Sequence, residues 1–213
     1  MRMRKKPNLI PRMERCASVL VTEPEMYRGR WLSEFPGHDR LFVELGCGKG
    51  RFTAGTGEEN PDALLVAVER VPDAMVVGME RVCELGLKNV RFMSKDVSDV
   101  TQFFGESEAD RIYINFCDPW PSNSHAKRRL TAPGFLDMYR TILKDGGEIH
   151  FKTDNRPLFD WSLRQLEKCG WALSEVTNDL HADGICGIMT DYEAKFHSQG
   201  VKINRCVARI SKV

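Results

Sequence analysis

The sequence predicts an α/β fold: a mostly parallel sheet with helices on both faces. Three observations carry this. Short apolar runs recur along the chain, each bounded by Gly, Pro or Asp. Stretches of helical character separate them, so strands alternate with helices and neighbouring strands run parallel. The chain has 213 residues, 42% of them hydrophobic, which suits one such domain with a short appendage.

The elements follow in order. Residues 1–20 read as a basic, flexible N-terminal arm, extended by Pro7 and Pro11, ahead of a single domain over 21–213. Leu41–Leu45, ended by Gly46, is a buried strand. The glycines after it open a helix over 51–58, kept short by Gly55 and Gly57. Ala63–Glu69 is a second strand, and Pro72 suits the first turn of a helix that stops at Gly86. Val90–Met93 is a third strand; Arg111–Phe116 is a fourth, halted by Asp118-Pro-Trp-Pro121. A helix over Gly134–Leu143 precedes Gly146-Gly147 and a fifth strand, Glu148–Lys152. Leu158–Cys169 reads as a helix closed by Gly170, and Trp171–Thr177 as a sixth strand. Tyr192–Phe196 reads as a helical turn, and the alternation within Val201–Ile210 as the last strand.

Lys and Arg number 31 against 30 Asp and Glu, a formal net charge of +1, which excludes a disordered or fibrous chain. The charge is uneven. Residues 1–15 carry Arg2, Arg4, Lys5, Lys6, Arg12 and Arg15 against Glu14. Lys127-Arg128-Arg129 form a second basic spot, and Lys202, Arg205, Arg209 and Lys212 a third. Basic segments on a mildly acidic body suit contact with a polyanion. No apolar run approaches the roughly 20 residues of a membrane span, and the N-terminus lacks the apolar core of a signal peptide. A cytoplasmic location without membrane contact is expected. Seven scattered cysteines without a C-x-x-C pair read as buried free thiols, and no metal site is expected. No obligate protein partner is inferred.

In such a fold, ligands sit at the carboxyl ends of the strands. Glu44-Leu-Gly46-Cys-Gly48-Lys-Gly50 ends the first strand. Its glycines permit a tight turn and close ligand approach, and the helix that follows offers N–H groups to an anion. The third glycine comes one residue too early for a dinucleotide fingerprint, and an acid sits beside the turn where a pyrophosphate would be repelled. S-adenosyl-L-methionine fits better, with a sulfonium and an ammonium for the acid and a carboxylate for the N–H groups. Glu69, 19 residues beyond Gly50, is placed for a ribose diol. Asp96, after the third strand, is placed for an adenine edge. At the fourth strand end, two prolines hold Asp118 and Trp120 rigidly. Trp120 offers a stacking surface, and the following Lys127, Arg128 and Arg129 can hold phosphates. His125 reads as a positioning residue and Cys117 as a structural one.

Glu44–Gly50, Glu69, Asp118-Pro-Trp-Pro121, His125-x-Lys-Arg-Arg-Leu130, Thr153-Asp-Asn155 and Thr190-Asp-Tyr-Glu193 together resemble the bacterial tRNA (guanine-N7-)-methyltransferase family. The resemblance runs from about Glu44 to Lys195. It implies a class I S-adenosylmethionine-dependent methyltransferase fold, Rossmann-like, with a mostly parallel seven-stranded sheet. It implies methyl transfer to N7 of a guanosine in the tRNA variable loop, with tRNA as partner. Carried over, Glu44, Gly46, Gly48, Gly50, Glu69, Asp96 and Asp118 resemble cofactor contacts, and Asp118 the active-site acid. Ser122, His125, Lys127, Arg128, Arg129, Asp154, Thr190, Asp191, Tyr192 and Glu193 resemble substrate contacts. Ser122 and Ser124 stand where the family commonly has a Lys and an Arg, which implies weaker phosphate binding in this loop.

Guanine N7 has a lone pair and no proton, so the reaction needs no general base, and positioning should dominate. Asp118, with Glu193, can accept hydrogen bonds from the guanine N1–H and amine as positive charge builds on the ring. Other readings stay open. A methyltransferase for an exocyclic or protein amino group would favour Pro-Pro-aromatic over Pro-Trp-Pro. A non-catalytic RNA-binding relic would not bind the cofactor. A dehydrogenase is disfavoured by Glu44 and Arg51.

Overall fold

The computed structural model describes residues 8–210 and divides into two compact units, to Gly105 and from Glu106. In the first unit three parallel strands lie in the order β3-β2-β1: β1 Arg40–Leu45, β2 Ala63–Val68 and β3 Val90–Met93. β2 is buried along its whole length, and β1 from Leu41 onward, as strands covered on both faces must be. Helices α3 Arg51–Glu59 and α4 Pro72–Glu84 make the crossovers. The glycines expected to shorten α3 do not. A Cβ on Gly57 would lie 2.4 Å from Val90 Cγ2, so the missing side chain lets α3 pack close to β3. A Cβ on Gly50 would lie 2.5 Å from Gly78 Cα, so the start of α3 and the middle of α4 meet backbone to backbone.

The extended basic arm expected over residues 1–20 gives way to helix α1, Leu9–Arg15. Pro11 falls in its first turns, where a missing N–H costs nothing. Arg12 donates through Nε and one terminal nitrogen to the Glu80 carboxylate on α4, at 2.7 and 2.6 Å. Cys16, Val19 and Val21 are buried behind it. Arg2, Arg4, Lys5, Lys6 and Lys212 lie outside the described residues. Two short helices had no sequence signal, α2 Trp31–Glu34 and α5 Val100–Phe103. The fully buried Trp31 links them, donating its indole N–H to the Phe103 carbonyl at 2.9 Å.

In the second unit the order is β4-β5-β7-β6: β4 Ala109–Asn115, β5 Leu143–Thr153, β6 Ala172–Thr177 and β7 Asn204–Arg209. β4 and β5 are parallel, while β7 runs antiparallel to β5 and β6. α6 Pro133–Ile142, α7 Arg156–Lys168 and α8 Asp191–Ser198 complete it. β5 begins five residues earlier than its apolar run suggested, because a register shift between Ala109 and Arg111 accommodates Gly146-Gly147 within the pairing. Among the described residues, no helix is long and apolar enough to cross a membrane.

Candidate functional site

In the first unit the strand ends are flush. Leu45 pairs with Val68 and Val68 with Met93. The loops after β1, β2 and β3 therefore leave one edge of the sheet together. Gly46, Gly48 and Gly50 all have positive φ, at 80°, 57° and 69°. A Cβ on Gly46 or Gly48 would meet nothing within 4 Å, so open space lies over the turn.

The carboxylates beside this turn are held by backbone N–H groups and by α3. Glu44 is buried and accepts from the Thr53 hydroxyl on α3 at 2.5 Å. Glu69 is half-buried and accepts from the Gly48 N–H at 2.9 Å and from the Val71 N–H at 2.8 Å. Burial, reinforced by the negative charge of Glu44 and Glu69, pushes the Cys47 thiol well above its ordinary range. Two carboxylates beside the turn suit a cationic ligand. The N–H groups of Gly46 and Cys47 go to the Val68 carbonyl, that of Gly48 to Glu69, and that of Gly50 to the Cys47 carbonyl. The N-terminus of α3, where the sequence places the donors for a ligand carboxylate, has no side-chain cap.

Asp96 lies beyond β3, where its carboxylate accepts from the Ser98 N–H and hydroxyl at 3.0 and 2.9 Å and from Arg70 at 3.3 Å. These bonds, that to the Ser98 N–H first, hold the carboxyl below its ordinary range. Asp96 caps a turn beside Glu69 and keeps acceptor capacity for a ligand.

In the second unit Asn115 of β4 pairs with Lys152 of β5, so these two ends are flush as well. The loop after β4 is bracketed by two aromatic residues with left-handed backbone, Phe116 at φ 52° and Trp120 at φ 41°. Bulky residues rarely adopt this conformation, and such strain persists only where surrounding structure imposes it. Here the Phe116 N–H donates to the Lys152 carbonyl at 2.9 Å. The Phe116 ring stacks on Phe196 of α8 with centroids 6.1 Å apart. Arg129 donates to the Pro119 carbonyl at 3.1 Å and to the Trp120 carbonyl at 2.9 Å.

The rigid loop displays Asp118. It is exposed, and among the described residues its carboxylate has no hydrogen-bond or ion-pair partner. Burial, then the charge of Asp118, pushes the neighbouring Cys117 thiol up to about 12, which rules out a thiolate nucleophile at neutral pH. Trp120 is half-buried, with His125 edge-on at 5.6 Å and the Arg128 guanidinium over its ring at 4.9 Å. Ser122 and Ser124 hydrogen-bond each other at 2.7 Å on the exposed rim. Lys127 and Arg128 are exposed, as phosphate contacts must be.

Arg129 is not available to a phosphate. It is 6% exposed, clamps the loop carbonyls and lies over the Trp161 ring at 4.4 Å. Glu193 is also not where a base contact needs it. It is fully buried, accepting from Lys152 at 2.6 Å and from the His181 ring at 3.0 Å. With Thr190 it forms a capping box at the start of α8: the Glu193 N–H donates to the Thr190 hydroxyl at 2.9 Å, and the Thr190 N–H to the Glu193 carboxylate at 3.2 Å. These residues fix α8 and leave Tyr192, 60% exposed, and the half-buried Asp191 facing outward. Asp154, half-buried, follows β5 just ahead of Asn155, which caps α7.

Sequence reasoning missed Lys152, His181 and Trp161. The first two are single polar residues in runs that carry no motif, so only the fold reveals Glu193 as their partner. Among the described residues, no cluster of three or more ligating side chains can hold a metal ion.

Residues 38–206 match a family model described as "Putative methyltransferase". The chain is 40% identical over 210 residues to the tRNA (guanine-N(7)-)-methyltransferase of Streptococcus suis (strain 05ZYH33), covering 98% of this chain and 99% of that protein. Among solved structures, the 16S rRNA methyltransferase KamB aligns with a TM-score of 0.66 at 15% identity, covering 85% of this chain and 93% of that one. A SAM-dependent methyltransferase from Aquifex aeolicus aligns over 96% of this chain and 100% of its own, with a TM-score of 0.57 at 15% identity. These structural likenesses assign the class I methyltransferase fold, with its seven mostly parallel strands.

Proposed function

We propose a mechanism for this chain from one premise, that it belongs to the tRNA (guanine-N(7)-)-methyltransferase family: it transfers a methyl group from S-adenosylmethionine to N7 of a guanosine in tRNA. The observation that carries this reading is the 40% identity across nearly the whole of both chains. The finer assignment is a guanosine of the variable loop. The uninterrupted match over 38–206 supports reading residues 21–213 as one methyltransferase domain. The enzyme acts in the cytoplasm on tRNA, without a membrane and without an obligate protein partner.

The space over the glycine turn fits the cofactor, because it is open, flanked by two carboxylates and faces an uncapped helix N-terminus. When bound, S-adenosylmethionine supplies an electrophilic methyl group on a sulfonium. Gly46, Gly48 and Gly50 shape the turn; Glu44 provides negative potential for the cationic end; Glu69 accepts from the ribose hydroxyls; Asp96 meets the adenine edge. Asp118 is the active-site acid of this reading, and the family resemblance makes it a cofactor contact as well. It accepts from guanine N1–H and the exocyclic amine and offsets the positive charge that develops on the ring, without removing a proton from N7. Lys127 and Arg128 hold phosphates. His125 orients Trp120, and Ser122, Asp154, Asp191 and Tyr192 line the substrate side. Thr190, Glu193 and Arg129 act one step behind them, holding α8 and the Asp118 loop in place.

Incubation with bulk tRNA and methyl-labelled cofactor, followed by nucleoside analysis, tests the reading. Label in 7-methylguanosine is expected; label in any other nucleoside, or none, overturns it.

A further inference from the structure

The basic turn that follows Asp118 also borders a second concavity. Lys127, the start of α6 (Pro133, Gly134, Phe135 and Met138) and Trp161 of α7 line an open cleft of about 540 Å³, within the ~300–1,000 Å³ range of ligand sites. Its walls are apolar, with the exposed Lys127 at its margin and the exposed Arg128 next in sequence. Trp161 is a shared wall: the buried Arg129 guanidinium lies over its ring at 4.4 Å and donates to the carbonyls of Pro119 and Trp120. The indole of the cleft is therefore one stacked layer from the loop that carries Asp118.

An aromatic and thioether wall beside a cation matches a nucleotide, whose base stacks while its phosphate pairs. Lysine is depleted from the cores of protein interfaces, which disfavours a protein partner here. We propose that this cleft binds a second, unpaired nucleotide of the tRNA, close in sequence to the methylated guanosine, with its base against Trp161, Phe135 and Met138 and its phosphate on Lys127. This rests on the tRNA reading above and deepens it: the enzyme recognises two bases, and the second sits against the support of the Asp118 loop.

Gly134 provides the test. It lies in the first turn of α6, and a Cβ there meets nothing within 4 Å. Gly134→Leu therefore adds an apolar side chain to the cleft wall at a position where its Cβ meets no neighbour. The KM for tRNA should rise about tenfold, the order contributed by one base–aromatic stack. The kcat, the calorimetric affinity for S-adenosylmethionine and the melting temperature should not change. Substrate tRNAs with a single abasic residue at each position within two nucleotides of the target give the second arm. One of them should raise the parent's KM by a similar factor and add nothing further in Gly134→Leu. A parental KM in Gly134→Leu, or losses that add for every abasic tRNA, overturns the proposal. So does a parent that is dimeric by light scattering and becomes monomeric in Gly134→Leu, which assigns the cleft to a second copy of the chain. If the parent forms no 7-methylguanosine, the family reading fails and this proposal with it. If the parent methylates normally and the variant matches it, the cleft assignment alone fails.

Discussion

Asp118 and Glu69 are both acids just beyond a strand, yet their surroundings give them different work. Asp118 is exposed, with no partner of its own among the described residues, so its charge is free for a ligand. Asp118→Asn keeps size and breaks no contact. Turnover should fall by at least about tenfold, on the order of 1.4 kcal/mol of transition-state stabilisation, with the melting temperature unchanged. Single-turnover kinetics at the parental rate would deny the carboxylate a catalytic role. Glu69, in contrast, already holds the Gly48 and Val71 N–H groups, so it shapes the turn as well as serving as the proposed ribose contact. Hydrogen bonds to charged groups contribute about 1.5–3 kcal/mol, so Glu69→Ala should weaken cofactor binding by roughly 10- to 100-fold. The expected tRNA affinity is that of the parent. Calorimetry giving parental cofactor affinity in a folded Glu69→Ala variant would remove Glu69 from the site.

Two elements carry the proposed substrate contacts. Helix α8 is anchored through Glu193, whose carboxylate lies between Lys152 and His181 with no exposure to solvent. A buried pair adds little net stability over apolar packing, but removing one partner strands the other's charge. Lys152→Met should therefore destabilise the protein by about 3–5 kcal/mol, read from denaturant midpoints. Lys152→Met combined with Glu193→Gln should recover part of that loss; a double variant no more stable than the single would show that the ion pair is not what anchors α8. The other element is the basic turn. Lys127 and Arg128 are exposed while Arg129 is buried. Each neutralised phosphate contributes roughly 0.7–0.9 to the log–log salt slope of RNA binding, so Lys127→Ala with Arg128→Ala should flatten that slope by about 1.4–1.8. Arg129→Ala should leave the slope alone and lower kcat, because it releases the carbonyls of Pro119 and Trp120. A slope that flattens equally in both variants would return Arg129 to the phosphate contacts.

For the whole molecule, acid stability turns on a cluster in β5. Burial pushes His150 down to about 4 from an ordinary 6.5, against the opposing pull of Glu148. Glu148, held by Arg209, His150 and Arg111, is lowered to about 2. The unfolded chain takes up a proton on this histidine near 6.5, whereas the native chain takes it up near 4. Between those values the unfolded state binds more protons, so stability is fully present above pH 6.5 and declines as the pH falls toward 4, by up to about 3 kcal/mol. His150→Gln should flatten the decline over that window, since it removes the titrating ring. Denaturant titrations at several pH values check this, and an unchanged pH profile in His150→Gln would place the acid sensitivity elsewhere.

The sequence by itself determined the order of strands and helices and nominated the strand ends for the chemistry. Periodicity and Gly–Pro punctuation are local signals, and ligand residues of this fold lie directly after strands, so Glu44, Glu69, Asp96 and Asp118 are nominated from position alone. The motif around Asp118, with Thr190–Glu193, was specific enough to indicate the family. The tertiary structure decided which charges remain available. Arg128 and Arg129 are adjacent and chemically alike, yet one is exposed and the other lies under Trp161, because burial depends on residues remote in the chain. Glu193 reads as a substrate contact until Lys152 and His181, 41 and 12 residues away, enclose it. Pro11 reads as part of an extended arm until Arg12 meets Glu80, 68 residues on, and α1 packs on α4. In each case a side chain's partners come from distant parts of the chain, and no local pattern encodes them.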